Sequence, residues 1–403
     1  MKNNNLLFAI LIGALGGIFC GWFFGTAMMS IAWVGTFFLN ALKMLIVPLI
    51  IAAVITSITA IGDVRHLGKL GGLTVLYYLS TTAVAVLIGL IAVNIIKPGV
   101  GTQELSQTIP DAIVGKDATG IADIVQTLIT PSLVESAAKL ELLPIIVFCI
   151  LFGIALTTIG ERGTTISNFF EGLNDVMMKL VIWLMYLAPI GIFSLIAAKL
   201  GESGGGDAVW GEIKKVGWYM FTVIFALGLH FLFLLGVLKV LGGRGIDYLL
   251  SMLRALVTAF GTASSSATLP LTMECAIEAG VKKRAAKFIL PLGATVNMDG
   301  TALYEAVAVM FIAQAYGFDM TFTQQTIIFI TATLAAIGAA AIPQAGLVTM
   351  ALVLTAVNLP LEGVGLILAV DWFLDRIRTT INVWGDSVGT AVIQNYALED
   401  DID

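Results

Sequence analysis

The chain has 403 residues, of which 58% are hydrophobic and only 12% charged, with a mean hydropathy of +0.98. This composition excludes a soluble domain of that length and indicates a polytopic, all-α membrane protein. The net charge of −6, much of it in the C-terminal tail, gives no support to nucleic-acid binding. Scattered cysteines and two isolated histidines, His66 and His230, argue against a redox motif or a histidine-based metal site.

Eight apolar segments predict membrane-spanning helices, and the first follows the N-terminus directly as a span rather than as a cleaved signal. Several are longer than the roughly 20 residues that cross a bilayer, so we expect tilted helices. Basic residues in 61–70 and 282–287 place these loops in the cytoplasm, and the acidic segment 98–141 is expected outside. The predicted spans are 6–28, 33–60, 71–97, 143–159, 166–199, 208–241, 284–314 and 359–397.

Two further apolar segments are interrupted by small residues and proline. Residues 248–279 break at GTASSSATLP (261–270), and residues 321–355 break at GAAAIPQAG (338–346). Each half is too short to cross a membrane, and paired interruptions of this kind point to a transporter's binding site. We therefore predict two re-entrant hairpins whose tips meet at mid-membrane, with two kinked packing helices as the alternative.

Between the hairpins, the motif Asn297-Met298-Asp299-Gly300-Thr301 lies inside a predicted helix. Asn and Gly weaken helical geometry there and free backbone carbonyls. Together with the Asp299 carboxylate, these oxygens suit a small dehydrated cation. Glu305 follows as a second acid inside the membrane, where desolvation favours its neutral form. The alternative for Glu305 is a hydrogen-bonded structural acid.

The last predicted helix carries charges on one face. At ~100° per residue, a single stripe of about 80° holds five polar groups. Charged groups at bilayer depth usually mark a pathway or a site, although an internal salt-bridge ladder is the alternative. A cation, three carboxylates and an amide on one stripe favour a site for a charged solute together with ions. The five are Asp371, Asp375, Arg378, Asn382 and Asp386.

Four motifs in this order identify a resemblance. SSSATLP (264–270), NMDGT (297–301), AAIPQAGLVT (340–349) and DWFLDRIRTTINVWGD (371–386) closely resemble the dicarboxylate/amino acid:cation symporters, the glutamate transporter family. The likeness covers nearly the whole chain and is nearer to the animal excitatory amino acid transporters than to archaeal members. Because the chain has no Asn-x-Ser/Thr acceptor, we expect a prokaryotic member in an inner membrane.

The resemblance implies eight transmembrane helices plus two re-entrant hairpins, arranged as inverted repeats in an elevator-type homotrimer. Scaffold helices 1 and 2 would occupy 1–70, and transport-domain helix 3 would occupy 71–97. An extracellular segment with scaffold helices 4 and 5 would occupy 98–200. The transport core would occupy 201–403.

The implied substrate is an acidic amino acid. Arg378 matches the arginine that pairs with the substrate's side-chain carboxylate, a task that suits the guanidinium fork. Asp375 matches the acceptor of the amino group. The remaining contacts are carried over to Ser265, Thr301, Ile342, Gly346, Thr379 and Asn382.

The resemblance also implies three sodium sites and two coupling residues. In the second site, Ala336 and Ala339 replace hydroxyl residues of archaeal members, which leaves backbone carbonyls as ligands. Glu305 matches a carboxylate thought to carry a proton, and Arg376 stands in for an arginine that archaeal members have where this chain has Ala263. The first sodium site comprises Gly293, Asn297, Asn382 and Asp386. The second comprises Thr295, Ala336, Ile337 and Ala339. The third comprises Tyr78, Thr81, Thr82, Asn297 and Asp299.

We therefore expect sodium-coupled symport of L-glutamate and L-aspartate, with a proton as a further coupling ion, potassium left open, and no organic cofactor or enzymatic activity. A C4-dicarboxylate carrier would leave Asp375 unpaired. A neutral amino acid carrier would leave the Arg378 guanidinium unpaired. An anion channel is the alternative from another class, and an intramembrane hydrolase would need a nucleophile–base pair that the sequence does not offer.

Overall fold

The computed structural model describes residues 3–60, 68–100, 129–139, 142–202, 206, 208–337 and 345–397, and in these ranges all regular structure is helical. Two short 3₁₀ helices, Gly25–Ile31 and Leu361–Gly363, precede α2 and α15. The α-helices are α1 Asn3–Phe24, α2 Ala32–Ala60, α3 Gly68–Ile96, α4 Leu133–Ala138, α5 Leu142–Thr158, α6 Glu161–Met185, α7 Ala188–Glu202, α8 Ala208–Leu241, α9 Ile246–Thr262, α10 Ser265–Glu278, α11 Lys283–Val296, α12 Asp299–Ala315, α13 Phe322–Ile337, α14 Ala345–Ala356 and α15 Val364–Ala397.

Several helical stretches are long and apolar enough to cross a membrane, which supports a multi-pass membrane protein. Within the described ranges there are four such spans, or five if the bent pair Glu161–Leu184 and Ala188–Ala198 counts as one. The four are Ile12–Phe38, Lys69–Ile96, Lys214–Leu241 and Lys283–Ala315. The predicted total of eight spans stays a prediction.

Helices α1, α2, α5, α6 and α7 pack on one another. Along α1, three glycines at four-residue spacing lie directly against the backbone of α7. A Cβ at Gly13 would overlap the Pro189 carbonyl oxygen, and one at Gly17 would come within 2.8 Å of the Phe193 carbonyl oxygen. Gly21 continues the row. Such small residues let two membrane helices approach closely enough for backbone contact.

A second set of helices, α3 and α8–α15, packs around α12 and α15. Helix α12 is buried along nearly its whole length between α3, α8, α13, α14 and α15. Helix α15 in turn contacts α3 and α8–α12. The polar stripe of α15 and the motif at the start of α12 therefore lie in the interior of this second set of helices. The assignment of scaffold and transport domains to the predicted residue ranges stays a prediction.

Two predicted spans are divided in the structure. The predicted span 166–199 consists of α6 and α7, which meet at an angle of 55°. Pro189, in the first turn of α7, cannot donate to a helix continued from α6. The predicted span 284–314 consists of α11 and α12, separated at Asn297, whose backbone is extended (φ −99°, ψ 97°).

The first interrupted segment forms two helices that pack against each other, α9 and α10. The chain turns at Ala263, which adopts the left-handed conformation (φ 50°), and Ser264 caps α10 by accepting from the Ala267 N–H at 3.2 Å. The second segment forms α13 and α14, which also contact each other, while its tip at 338–344 lies outside the described residues. The re-entrant placement of both pairs in a membrane stays a prediction.

Candidate functional site

The break between α11 and α12 creates the centre of the site. Asn297 and Met298 leave helical geometry, and Asp299 begins the next helix. The extended backbone frees amide and carbonyl groups in the interior, where they need partners. The side chain of Asn382 on α15 supplies one, because its Oδ1 accepts the Gly300 N–H at 2.8 Å. The broken helix and α15 are thereby held in register.

Arg378 is fully buried on α15 and pairs with two acids of its own helix. Its Nη2 lies 2.8 Å from Oδ1 of Asp375 and 3.1 Å from Oδ1 of Asp371. Its Nε and Nη1 are buried and have no hydrogen-bond acceptor among the described residues. Because an unsatisfied buried donor is costly, the guanidinium is prepared to accept a further carboxylate.

The surroundings of Arg378 fit closely around the guanidinium. The ring of Tyr304 lies beneath it, with the Cζ of Arg378 3.8 Å from the ring centroid. Gly346 on α14 covers another side, since a Cβ there would lie 2.5 Å from Nη1. Gly300 admits the α15 backbone, with the Arg378 carbonyl oxygen 2.6 Å from its notional Cβ. Gly346, a predicted substrate contact, thus lies directly against the arginine side chain.

The other predicted substrate residues lie around this arginine or on the same elements. Asn382 donates to Thr301 Oγ1 at 3.3 Å, which joins α15 to the first turn of α12. Thr379 is buried, and its hydroxyl donates to the Asp375 carbonyl at 2.8 Å. Ser265 is buried at the start of α10, a helix that packs on α15. Ile342 lies outside the described residues.

The first predicted sodium group is brought together. The Asn297 amide donates to Oδ1 of Asp386 at 2.9 Å, while Oδ1 of Asn297 is buried and has no donor among the described residues. Gly293 faces the same carboxylate, since a Cβ there would lie 2.6 Å from Oδ1 of Asp386 and 2.5 Å from Oη of Tyr78. An unpartnered amide oxygen beside a buried carboxylate suits sodium, which prefers hard oxygen ligands.

The third predicted group converges on Asp299, and His230, which is not one of the predicted ligands, lies against the same carboxylate. Oδ1 of Asp299 accepts from the hydroxyls of Thr82 at 2.7 Å and Thr81 at 3.3 Å. The other oxygen, Oδ2, lies 3.0 Å from Nε2 of His230 on α8. The sequence suggests that His230 is isolated. In the structure it is instead fully buried against a predicted sodium ligand. No spacing signal could have revealed this contact, because 69 positions separate the two residues.

The second predicted group is described only in part. Thr295 lies in the last turn of α11, and its hydroxyl donates to the Leu292 carbonyl at 3.0 Å. Ala336 and Ile337 are buried at the end of α13, which contacts α11. Ala339 lies outside the described residues. The structure therefore places three of the four residues of this group, and the position of Ala339 stays a prediction.

The two predicted coupling residues lie in different surroundings. Glu305 is fully buried in α12, and no basic side chain of the described residues is within ion-pair distance of it. Arg376 points the other way from α15, and its Nη1 donates to the carbonyls of Phe260 and Gly261 at 2.8 Å. Arg376 thus caps the end of α9 at the turn of the first hairpin.

Charge in the interior is unbalanced. Among the described residues, five carboxyl groups are buried, and Arg378 is the one buried arginine. Uncompensated carboxylates in a protein interior are strongly unfavourable. Cations that enter the site together with a ligand would remove this imbalance. The five acids are Asp299, Glu305, Asp371, Asp375 and Asp386.

The geometry agrees with comparisons with known proteins. The model of the sodium:dicarboxylate symporter family matches residues 6–396. The chain belongs to this family.

Relatives of the chain support this assignment. It is 38% identical to an excitatory amino acid transporter of Caenorhabditis elegans, over 99% of the chain and 89% of the relative. It is 39% identical to excitatory amino acid transporter 3 of Mus musculus, over 92% and 80%. It is 38% identical to excitatory amino acid transporter 1 of Ambystoma tigrinum, over 90% and 76%. The chain is thus a transporter and not an enzyme.

Family membership and the apolar helices together make this symporter a multi-pass membrane protein. The relatives named above are animal proteins. The prokaryotic inner membrane remains a prediction from the sequence.

Proposed function

We propose that the protein takes up L-glutamate and L-aspartate by symport with sodium. The observation that carries this proposal is Arg378, a buried guanidinium with unused donors at Nε and Nη1 beside Asp375. The substrate's side-chain carboxylate would bind Arg378, and its amino group would bind Asp375. Ser265, Thr301, Thr379, Asn382, Gly346 and Ile342 would hold the rest of the ligand.

Rival substrates fit this arrangement less well. A C4-dicarboxylate has no amino group to pair with Asp375, so a buried carboxylate would lose its partner. A neutral amino acid would leave donors of Arg378 unsatisfied at full burial. An anion channel needs a continuous pore, whereas the arginine is packed between Tyr304 and Gly346.

Sodium coupling has a physical basis in the same region. An acidic amino acid carries a net charge of −1 into a site that already holds an excess of carboxylates. Sodium ions at the groups around Asp386, Asp299 and Thr295 would compensate this charge, so the binding of each ligand would strengthen that of the other. Tyr78, Thr81, Thr82, Gly293, Asn297 and the chain at 336–339 would complete these sites.

A proton is the further coupling ion that we assign to Glu305. A fully buried carboxyl with no basic side chain of the described residues at ion-pair distance favours its neutral form. A protonated Glu305 would therefore accompany the loaded transporter inward and release its proton to the cytoplasm. For the return of the empty transporter, we propose potassium counter-transport as the step to test. Arg376, at the first hairpin, is the second residue that we assign to this coupling.

The movement we propose is an elevator step within a homotrimer in the lipid bilayer. The helices α3 and α8–α15, which enclose the site, would move as the transport domain. The helices α1, α2 and α5–α7 would form the scaffold. The close glycine packing of α1 on α7 supports a rigid scaffold.

The deciding experiment is uptake of radiolabelled L-aspartate into liposomes that contain the purified protein. We expect concentrative uptake with an inward sodium gradient and none when choline replaces sodium. Excess unlabelled L-glutamate should compete, whereas succinate and L-serine should not. Uptake without a sodium gradient, or competition by succinate alone, would contradict the proposal.

A further inference from the structure

One buried acid of α15 has no role in the function proposed above. Asp371 lies two turns before Arg378 and is only 1% exposed. Its Oδ1 is 3.1 Å from Nη2 of Arg378, and Oδ1 of Asp375 is 2.8 Å from the same nitrogen. Two carboxylates therefore share one end of a single buried guanidinium.

This sharing limits how a ligand can bind. A carboxylate grips arginine with two parallel bonds along one edge of the fork. Both usable edges, Nε–Nη2 and Nη1–Nη2, include Nη2. A ligand that uses the unpartnered Nε or Nη1 for one bond therefore needs Nη2 for the other. That nitrogen already donates to Asp375 and lies 3.1 Å from the Asp371 carboxylate, whose oxygens accept no hydrogen bond among the described residues.

The two aspartates differ in the partners they could take other than Arg378. Asp375 has a 10% exposed side chain and would turn to the amino group of the substrate. The Asp371 side chain is 2% exposed, and Arg378 is the one basic group that pairs with it in the described part of the chain. Asp371 therefore stays with the arginine when a ligand enters.

We propose that Asp371 is a specificity-determining residue, a standing counter-ion of Arg378 that competes with the side-chain carboxylate of the substrate. This role rests on the proposed transport of acidic amino acids. A fixed negative charge beside the guanidinium weakens its attraction for a ligand of net charge −1. Asp371 thereby keeps acidic substrates weakly enough bound to be released on the far side of the membrane.

The test compares variants of the purified full-length protein at saturating sodium, by calorimetric titration with L-aspartate. Asp371→Asn keeps the size of the side chain but removes the charge. We expect it to bind L-aspartate about tenfold more tightly, with a correspondingly slower dissociation of the labelled ligand. Asp371→Glu keeps the charge and should stay near wild type. Asp175→Asn, at an exposed acid of α6, is the control.

The direction of the change separates this role from a structural one. A residue that only supports the fold would weaken binding when replaced, so unchanged or weaker aspartate binding by Asp371→Asn overturns the proposal. If that variant does not fold, Asp371→Ser carries the same expectation, and failure of both to fold also overturns it. A wild-type protein that binds no acidic amino acid in sodium would refute the proposed function itself, and the wild-type titration alone shows this.

Discussion

At the scale of single residues, Arg378 concentrates the chemistry of the site. Replacing it by cysteine removes the partner of the substrate's second carboxylate but leaves Asp386 and Asp299 with their own contacts. The affinity of Arg378→Cys for L-aspartate should therefore fall by much more than tenfold. A tenfold loss alone corresponds to ~1.4 kcal/mol. Neutral amino acids such as L-serine should then bind in a sodium-dependent way. Titration of both ligands with and without sodium measures this, and aspartate affinity within tenfold of wild type would remove Arg378 from the proposed site.

His230 gives a second prediction at this scale. Its Nε2 lies 3.0 Å from Oδ2 of Asp299, while Thr82 holds the other carboxylate oxygen. His230→Ala removes the partner that fixes the orientation of the carboxylate. Because a hydrogen bond to a charged group contributes about 1.5–3 kcal/mol, the sodium concentration for half-maximal aspartate binding should rise about tenfold or more.

A matched variant checks the reason for that change. His230→Gln retains a side-chain N–H at a similar reach and should recover much of the sodium affinity. Thr222→Ala, at a buried hydroxyl of α8 that donates to its own helix, should leave sodium dependence unchanged. Equal losses in all three variants would instead mean that α8 packing, and not the contact with Asp299, determines the effect.

The residue scale also shows what a sequence can reveal. The stripe on α15 follows from helical periodicity, and all five of its members are buried as the pattern predicts. The contact between His230 and Asp299 depends on how α8 packs beside α12, which no local pattern encodes. Likewise, helical spacing places Asp371 and Arg378 on one face. That both aspartates approach the same nitrogen, Nη2, is seen only in the structure.

At the scale of elements, α14 of the second hairpin contacts Arg378 through Gly346. Gly346→Ala would place a Cβ about 2.5 Å from Nη1, a distance that real Cβ atoms do not show. Since α14 or the guanidinium must shift, aspartate affinity should fall at least about tenfold, because small displacements at a binding site have large effects. Gly236→Ala on α8, where nothing lies within 4 Å of a Cβ, is the control. Normal affinity in Gly346→Ala would show that α14 adjusts freely.

The elements themselves were predicted unevenly. Clusters of small residues located both interruptions, but the first break is confined to the turn at Ala263, and Pro270 lies inside α10. The division of 166–199 at the start of α7 was missed, although Pro189 signals it, because the apolar character continues through the bend. Apolar length alone therefore does not locate the bends and ends of the helices.

At the scale of the whole molecule, the proposed elevator movement would carry the five buried carboxyl groups and the one buried arginine of the described residues across the bilayer region in both directions. An ionised group at bilayer depth costs at least ~2.5–3.5 kcal/mol, so each crossing requires compensation. With substrate, sodium and a proton can provide it. In the proposed cycle, the empty movement would require that the proton leave and that another cation take its place. The loaded and empty movements therefore depend on different charges, and a single substitution can separate them.

Glu305→Gln makes that separation. The amide imitates the neutral acid permanently, so sodium-dependent aspartate binding and exchange of internal for external aspartate should stay within about twofold of wild type, as for an isosteric change at a neutral group. Net uptake should fall about tenfold or more, because a group that cannot release its proton blocks the empty return.

In the wild type, uptake should rise as external pH falls, acidify the lumen and respond to internal potassium. The Glu305→Gln variant should lose all three responses. Parallel assays of net uptake and exchange, with a pH dye inside the same liposomes, measure this. If the variant still acidified the lumen during uptake, the proton would travel on another group, and Glu305 would be a structural acid of α12.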